Sequence, residues 1–107
     1  MDPRALRQRI EASAKALGFD AFGVAPVDVD VRADYFRKWI AEGMHGDMAW
    51  LARNPDRRTD ARKVLPEARS LVVVGLNYFQ PHPPAGYRIA KYALGADYHD
   101  VILERLK

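Results

Sequence analysis

Residues 70–78 read Ser-Leu-Val-Val-Val-Gly-Leu-Asn-Tyr, and this β-branched run is the clearest strand signal in the chain. Such an unbroken apolar run predicts a strand buried on both faces, as in the centre of an α/β sheet. Residues 80–86 predict a surface loop, because three prolines there lack the N–H that a ladder needs. Asn77 and Tyr78 therefore stand at the exit of a strand, where α/β proteins tend to bind ligands.

The segment before this strand predicts a helix and a second strand. An aspartate and a proline open an apolar helical pattern over residues 3–17, and Gly18 supplies the stop. Residues 19–25 then predict a short strand in which Gly23 allows another group to pack closely against the backbone.

Two further helices are predicted between the strands. Acidic residues at positions 28, 30 and 34 favour a helix start, and the helix ends at Gly43. A short helix should follow and end at Pro55. The helical spacing of Trp39 and Trp50 predicts that both side chains belong to the core.

The end of the chain predicts a last helix after a turn at residues 94–97. Before it, residues 88–93 predict a strand or an extended segment. Apolar positions then follow helical spacing up to Lys107, which gives fewer than three turns. The elements together predict an α/β class, with α+β as an alternative, in which helices flank a small sheet. We also expect the chain to be a truncated module of a larger protein.

Composition limits what the residues can do. A chain of 107 residues fits one domain, covering residues 1–107. It contains no cysteine, so its own residues provide no disulfide, thiolate zinc site or iron–sulfur ligand. The N-terminus has no apolar signal core and no apolar run approaches membrane-spanning length, so we expect a cytoplasmic protein without a membrane partner.

Positive charge is concentrated in residues 53–69. This basic segment holds six Lys and Arg residues and three acidic residues, so its net charge is +3. The net charge of the whole chain is also +3. Such a segment favours an anionic ligand, for example a phosphate of a cofactor or of nucleic acid. The alternative is a solvated turn in which the charges pair with one another.

Known catalytic motifs are scarce. The chain has no glycine-rich dinucleotide motif, no phosphate-loop lysine and no Gly-x-Ser-x-Gly. His45, His82 and His99 show no spacing with carboxylates that identifies a metal site, so no metal ligand is predicted.

The most suggestive cluster is residues 92–99, which bring a carboxylate, phenols and an imidazole to one helix entrance. Asp97 could orient a polar ligand or transfer a proton there. Alternatively, Asp97 only caps the helix. Asn77 and Tyr78 could line a pocket with this turn, or they could only end the strand.

Four blocks in order carry a family resemblance. They are residues 17–25 (Leu-Gly-Phe-Asp-Ala-Phe-Gly-Val-Ala), 43–53 (Gly-Met-His-Gly-Asp-Met-Ala-Trp-Leu-Ala-Arg), 64–70 (Val-Leu-Pro-Glu-Ala-Arg-Ser) and 88–99 (Arg-Ile-Ala-Lys-Tyr-Ala-Leu-Gly-Ala-Asp-Tyr-His). Together they resemble the N-terminal, cobalamin-binding region of epoxyqueuosine reductases, which complete the queuosine base in tRNA. The resemblance spans nearly the whole chain.

The resemblance implies a reductase that converts epoxyqueuosine in tRNA to queuosine, with cobalamin as its reactive centre. It also implies two [4Fe-4S] clusters in a later, cysteine-rich domain and an external electron donor. Since no cluster ligand is present, we expect this chain alone to be inactive. The alternative is a non-catalytic tRNA- or phosphate-binding module that uses the basic segment.

Site residues follow from the same resemblance, position by position. Arg58 matches a cobalamin-contacting arginine, and Ala90 matches a position that lies against the cofactor. Asp97 and Tyr98 belong to the Gly-x-Asp-Tyr-His block, which lies near the cobalt face in the family. Asp97 is thereby the catalytic candidate, and the resemblance implies that a second acidic residue, the proton donor, lies beyond Lys107.

Overall fold

The computed structural model describes residues 1–27, 32–81, 86 and 88–107. The helices and strands in these residues are α1 (Pro3–Ala16), β1 (Ala21–Pro26), α2 (Ala33–Ala41), α3 (Pro55–Thr59), β2 (Ser70–Gly75) and α4 (Tyr98–Leu106). Three 3-10 turns lie at Ala49–Ala52, Ala61–Lys63 and Lys91–Ala93. The predicted α/β class is confirmed.

The described residues form two compact units. The first unit contains Met1–Gly23 and Val73–Lys107, and the second contains Val24–Val72. The expectation of one domain over residues 1–107 stays a prediction.

Helix α1 begins and ends as predicted. Oδ2 of Asp2 accepts a hydrogen bond from the N–H of Ala5 at 3.3 Å, which caps the first turn. Gly18 ends the helix with φ of +90°, a left-handed conformation that favours glycine. The N–H of Phe19 then donates to the carbonyl of Ala14 at 3.1 Å, and both of these apolar side chains are buried.

Helix α4 is tied to the end of α1. Nη1 of Arg105 donates to the carbonyl oxygen of Gly18 at 2.9 Å. Carbonyls near a helix C-terminus lack intrahelical partners, so a guanidinium is a favourable partner there. This contact places the last turn of α4 beside the turn that joins α1 to β1.

Strands β1 and β2 pair in an antiparallel two-stranded sheet. The N–H of Asp20 donates to the carbonyl of Gly75 at 2.9 Å, and the N–H of Val27 donates to that of Arg69 at 3.3 Å. The expectation that β2 is buried on both faces was wrong, since Val73 is 58% exposed. Among the described residues only β1 pairs with β2, and a two-stranded sheet by itself cannot cover both faces of a strand.

The close backbone approach expected at Gly23 occurs at Gly75 instead. A Cβ built on Gly23 meets nothing within 4 Å, whereas one on Gly75 would lie 3.1 Å from the Cβ of Ala21. This distance is shorter than an ordinary van der Waals contact between carbons. Glycine at position 75 therefore lets the strands pack at this pair.

The second unit is built around α2, which ends near Gly43 as predicted. Trp39 is half-buried, and its ring stacks on that of Phe36 with centroids 6.4 Å apart. Trp50 is 53% exposed, so its assignment to the core was wrong. It lies on the 3-10 turn Ala49–Ala52 rather than on a longer helix, and Pro55 begins α3 instead of ending a helix.

Some predictions fall on residues that the structure does not describe. The acidic residues at positions 28 and 30, His82 and most of the proline-rich loop lie outside the described residues.

Residues 88–93 contain no strand, because Lys91–Ala93 form a 3-10 turn. Among the described residues, no helix has the length and apolar character needed to cross a bilayer.

We predict that Gly75→Ala destabilises the protein by about 1–3 kcal/mol, because the new methyl would crowd Ala21. Gly23→Ala, the matched control in the partner strand, should be neutral or slightly stabilising. Thermal and urea unfolding would measure both. Adding Ala21→Gly to Gly75→Ala should recover stability, and a Gly75→Ala variant as stable as the wild type would contradict the packing argument.

Candidate functional site

An aromatic cleft lies in the first unit. Its cavity, of about 320 Å³, is lined by Leu76, Tyr78, Tyr92, Tyr98 and Ile102. The ring of Tyr92 meets that of Tyr78 edge-on at 6.3 Å and that of Tyr98 edge-on at 5.7 Å. These are the tilted arrangements that aromatic pairs prefer. The rings are also accessible, since Tyr78 is 61% and Tyr98 is 41% exposed.

The position of Tyr78 is set by Asp20, which directly precedes β1. Oδ2 of Asp20 accepts a hydrogen bond from the N–H of Asn77 at 2.7 Å, just past the end of β2. Oδ1 of Asn77 in turn accepts from the N–H of Phe79 at 2.9 Å, which forms an Asx turn around Tyr78. The backbone on both sides of Tyr78 is therefore held.

The position of Tyr92 is set by contacts between its neighbour Lys91 and the segment that follows β2. Nζ of Lys91 lies 4.0 Å from the ring centroid of Phe79, a cation–π contact. Nε2 of Gln80 also donates to the carbonyl of Lys91, at a long 3.5 Å. These contacts join the strand exit to the 3-10 turn and bring Tyr92 to the cleft.

Asp97 caps α4 and pairs with His99. Its Oδ1 accepts the backbone N–H of His99 at 2.9 Å and lies 2.8 Å from Nδ1 of the same residue. The imidazole stacks on the ring of Tyr98, with centroids 4.0 Å apart and planes 28° apart. A second cavity, of about 390 Å³, is lined by Tyr92, Ala93, Gly95, Ala96, Asp97, Tyr98 and His99. This polar cavity shares Tyr92 and Tyr98 with the aromatic cleft.

The hydrogen bonds lower the pKa of Asp97 below its ordinary value of 3.8. The main cause is the backbone N–H of His99, followed by the bond to its side chain. Because the folded pKa is depressed, the stabilisation by the ionised form is present above about pH 3.8 and is lost as the pH falls below it. Asp97 is therefore a carboxylate at neutral pH and a hydrogen-bond acceptor, not a proton donor.

Arg58, the predicted cofactor contact, lies on α3 in the second unit. Its Nη2 donates to the carbonyl of Trp50 at 2.7 Å, and its Nε donates to that of Arg53 at 3.1 Å. Arg58 thus closes the loop between the 3-10 turn Ala49–Ala52 and α3. A guanidinium has five N–H groups, so these two bonds leave others for a ligand.

The basic segment has few neutralising partners. Two of its three acidic residues already pair, Asp56 with Arg37 at 2.8 Å and Asp60 with Arg62 at 3.1 Å. These bonds lower the pKa of Asp56 and of Asp60, so both stay ionised at neutral pH. In the described part of the chain, no carboxylate pairs with Arg53, Arg57, Lys63 or Arg69. The alternative of a solvated turn with paired charges thus holds for Asp56 and Asp60, which both form ion pairs.

The structure brings some predicted site residues together. Asp97 and Tyr98 share the polar cavity, and Tyr98 joins Tyr78 in the aromatic cleft, whereas Asn77 lines neither of these two cavities. Ala90 is exposed and precedes the 3-10 turn that carries Tyr92. Arg58 belongs to the other unit.

Sequence reasoning assigned no role to Asp20. Its bond to Asn77 spans 57 positions of the chain, and no local pattern signals such a contact. Tyr92 and His99 had a signal, because they flank the Asp97 turn within the same short cluster.

Comparisons with known proteins agree with the resemblance seen in the sequence. Residues 58–107 match a family model described as "Epoxyqueuosine reductase QueG, DUF1730". A protein named epoxyqueuosine reductase from Synechocystis sp. is 47% identical over 92 residues, which cover 79% of this chain and 31% of that protein. Another of the same name, from Leadbetterella byssophila, is 39% identical over 103 residues, or 94% of this chain and 34% of that protein. No solved structure gives a significant match.

The relatives that match are named as reductases, which belong to the class of oxidoreductases. The chain belongs to the epoxyqueuosine reductase family. It spans about a third of the length of the curated relatives that it matches.

Proposed function

We propose that this chain provides cofactor and substrate contacts in a cobalamin-dependent reductase that converts epoxyqueuosine in tRNA to queuosine. The observation that carries the proposal is the aromatic cleft with its adjoining Asp97 turn. Apart from Asp20, every residue named in that site lies within residues 58–107, the segment that matches the family model.

The residues of the site suit a corrinoid. A corrin is a broad, nearly flat ring with apolar faces and an amide-bearing edge, and it is larger than either cavity alone. The two cavities share Tyr92 and Tyr98, so together they offer one extended apolar surface with a polar end. Ala90, Asp97 and Tyr98 would contact the cobalamin at this surface. Arg58 belongs to the second unit, and its contact with the cofactor is what the family resemblance implies. When bound, the cobalamin would supply the reducing chemistry.

Other parts of the reaction would come from outside this sequence. The two [4Fe-4S] clusters need cysteine ligands, and the sequence contains no cysteine. The proposed partners are therefore the remainder of the reductase, an external electron donor and the tRNA that carries epoxyqueuosine. We place this function in the cytoplasm.

The proposed role of Asp97 follows from its ionised state. A carboxylate at the mouth of the polar cavity can accept a hydrogen bond from a ligand and can stabilise a neighbouring cation. It would therefore position groups in the reaction rather than donate a proton itself.

We predict that Asp97→Asn in the complete protein keeps the fold but slows reduction of epoxyqueuosine in tRNA by at least tenfold. Asparagine can still cap α4, but it removes the negative charge. Asp97→Ala should lower both the rate and the melting temperature. Single-turnover assays and thermal unfolding would measure these effects, after cobalamin and cluster contents are matched.

The matched control is Asp100→Asn, which removes a carboxylate from the same first turn of α4. It should leave the rate within about twofold of the wild type. Full activity of the Asp97→Asn variant would show that Asp97 only caps α4 and takes no part in the reaction.

The second candidate function is phosphate or tRNA binding by the basic segment. It is favoured by Arg53, Arg57, Lys63 and Arg69, which form no salt bridge with a carboxylate among the residues that the structure describes. The two candidates differ in their response to salt, because phosphate contacts weaken steeply as ionic strength rises. Binding of cobalamin can be measured by the change in its visible absorption. We expect this binding to depend only weakly on salt.

We predict that Arg58→Ala weakens cobalamin binding more than Arg69→Ala does. Arg58 would make a specific contact, whereas Arg69 is a further cation of the same segment. Circular dichroism would check that the loop closed by Arg58 has not unfolded the variant. Equal losses in the two variants, together with a steep salt dependence, would favour the phosphate-binding function.

A further inference from the structure

We infer that a groove along α2 binds an unpaired nucleotide of the RNA substrate, with Tyr35 stacked on the base and Arg32 paired with a phosphate. The inference rests on the proposed function, in which the substrate is a tRNA. It goes beyond that function because it assigns RNA contacts to α2, a helix outside both the aromatic cleft and the basic segment.

The α2 groove lies within the second unit. Its cavity, of about 570 Å³, is lined by Arg32, Tyr35, Phe36, Trp39 and Leu51. Tyr35 and Trp39 are four positions apart, which places their side chains on the same face of the helix. Three aromatic rings therefore line one side of a single helix.

The three rings differ in how accessible they are. Phe36 and Trp39 are half-buried, and they stack on each other with their centroids 6.4 Å apart. Tyr35 is 63% exposed. Contacts within the protein thus hold Phe36 and Trp39, whereas the ring of Tyr35 is available to a ligand.

One end of the groove is positively charged. A neighbouring cavity, of about 260 Å³, shares Arg32 and Phe36 with the groove and is also lined by Ala33, Arg58 and Thr59. Among the described residues that line these two cavities, none is acidic, and Arg32 forms no salt bridge in the described part of the chain. The charge of this end therefore favours an anionic group.

The cation and the exposed ring lie side by side. The guanidinium carbon of Arg32 is 6.0 Å from the ring centroid of Tyr35. A ligand that covers the face of Tyr35 is therefore within reach of the N–H donors of Arg32, which suit the oxygens of a phosphate.

The acidic residues nearest to the groove already have partners. Nη2 of Arg37 donates to Oδ1 of Asp56 at 2.8 Å and to Oγ1 of Thr59 at 3.3 Å, and these bonds fix α3 against α2. Glu42, which lines a cavity on the other side of Tyr35 and Trp39, pairs with Lys38 at 3.8 Å. These pairs reduce the repulsion that a phosphate would meet.

A nucleotide combines the two features that the groove selects, a flat aromatic ring and a phosphate joined to it through one sugar. Bases within a duplex are covered by their neighbours, so only an unpaired and unstacked base can stack on a protein ring. Such stacking tolerates any base. The groove therefore suits a loop nucleotide, which it would hold without reading its identity.

The first test measures binding by the complete protein, with no electron donor added. The probes are a fluorescently labelled RNA stem–loop and a fully paired RNA duplex of the same stem sequence, and binding is followed by fluorescence anisotropy. Tyr35→Ala should weaken stem–loop binding about fivefold or more and leave duplex binding unchanged. Tyr35→Phe, which keeps the aromatic face, should bind both probes as the wild type does.

The phosphate contact is tested by the salt dependence of stem–loop binding. Arg32→Ala should lower the affinity and reduce the slope of log affinity against log salt by about 0.7, the value expected for one single-strand phosphate. Arg4→Ala, which removes an exposed arginine from α1 in the first unit, is the matched control and should change neither quantity. Circular dichroism checks that every variant is folded.

A second measurement needs no destabilising variant. In carbon-13 NMR of tyrosine rings, the stem–loop should shift the Tyr35 signal saturably and the duplex should not, and a Tyr35→Phe sample assigns that signal. An unshifted Tyr35 signal overturns the inference, and it is also the result expected if the remainder of the reductase covers the groove.

The outcomes separate this inference from the proposed function. Wild-type stem–loop affinity in Tyr35→Ala, or equal losses for the stem–loop and the duplex, overturns the α2 groove while the reductase function stands. A complete protein that binds the stem–loop through Tyr35 but does not reduce epoxyqueuosine in tRNA overturns the reductase function and supports the groove.

Discussion

The site depends on Asp20, a residue that lies on neither of its two cavities. Its N–H extends the sheet ladder to Gly75, and its carboxylate accepts the N–H of Asn77 at 2.7 Å. The residue just before the first strand thus controls the path of the chain after β2 has ended. That path carries Tyr78 towards Tyr92, whose position depends in turn on the Lys91 contacts. Without this constraint, the strand exit and the Asp97 turn would be separate surface features.

In the Asp97 turn, a single carboxylate oxygen, Oδ1 of Asp97, contacts two groups of His99. A cap needs an oxygen near the backbone N–H two residues ahead, and His99 provides a second donor within reach of the same oxygen. The two readings of Asp97, as a helix cap and as a site residue, are therefore compatible. Its lowered pKa follows from the same two bonds and makes it an acceptor at neutral pH.

Local signals predicted the elements well, and long-range contacts were not predictable. The start of α1, the Asp97 cap and the helical spacing of α4 are encoded within a few residues, and each was confirmed. The predicted burial of β2 was not confirmed. The apolar composition of a strand shows that its side chains favour burial, but it does not show whether another layer of the protein covers them. The roles of Arg58 and Ala90 came from the family resemblance alone, since nothing in their local sequence distinguishes a ligand contact from a loop residue.

The central claim is that the tyrosine cleft is a cofactor-binding surface. It is tested most directly by carbon-13 NMR of tyrosine rings in the complete protein during titration with hydroxocobalamin. We expect saturable changes at Tyr78, Tyr92 and Tyr98 that share one affinity, while Tyr35, an exposed tyrosine of the other unit, stays unchanged. Equal changes at Tyr35, or unchanged signals from the three cleft tyrosines, would contradict the account.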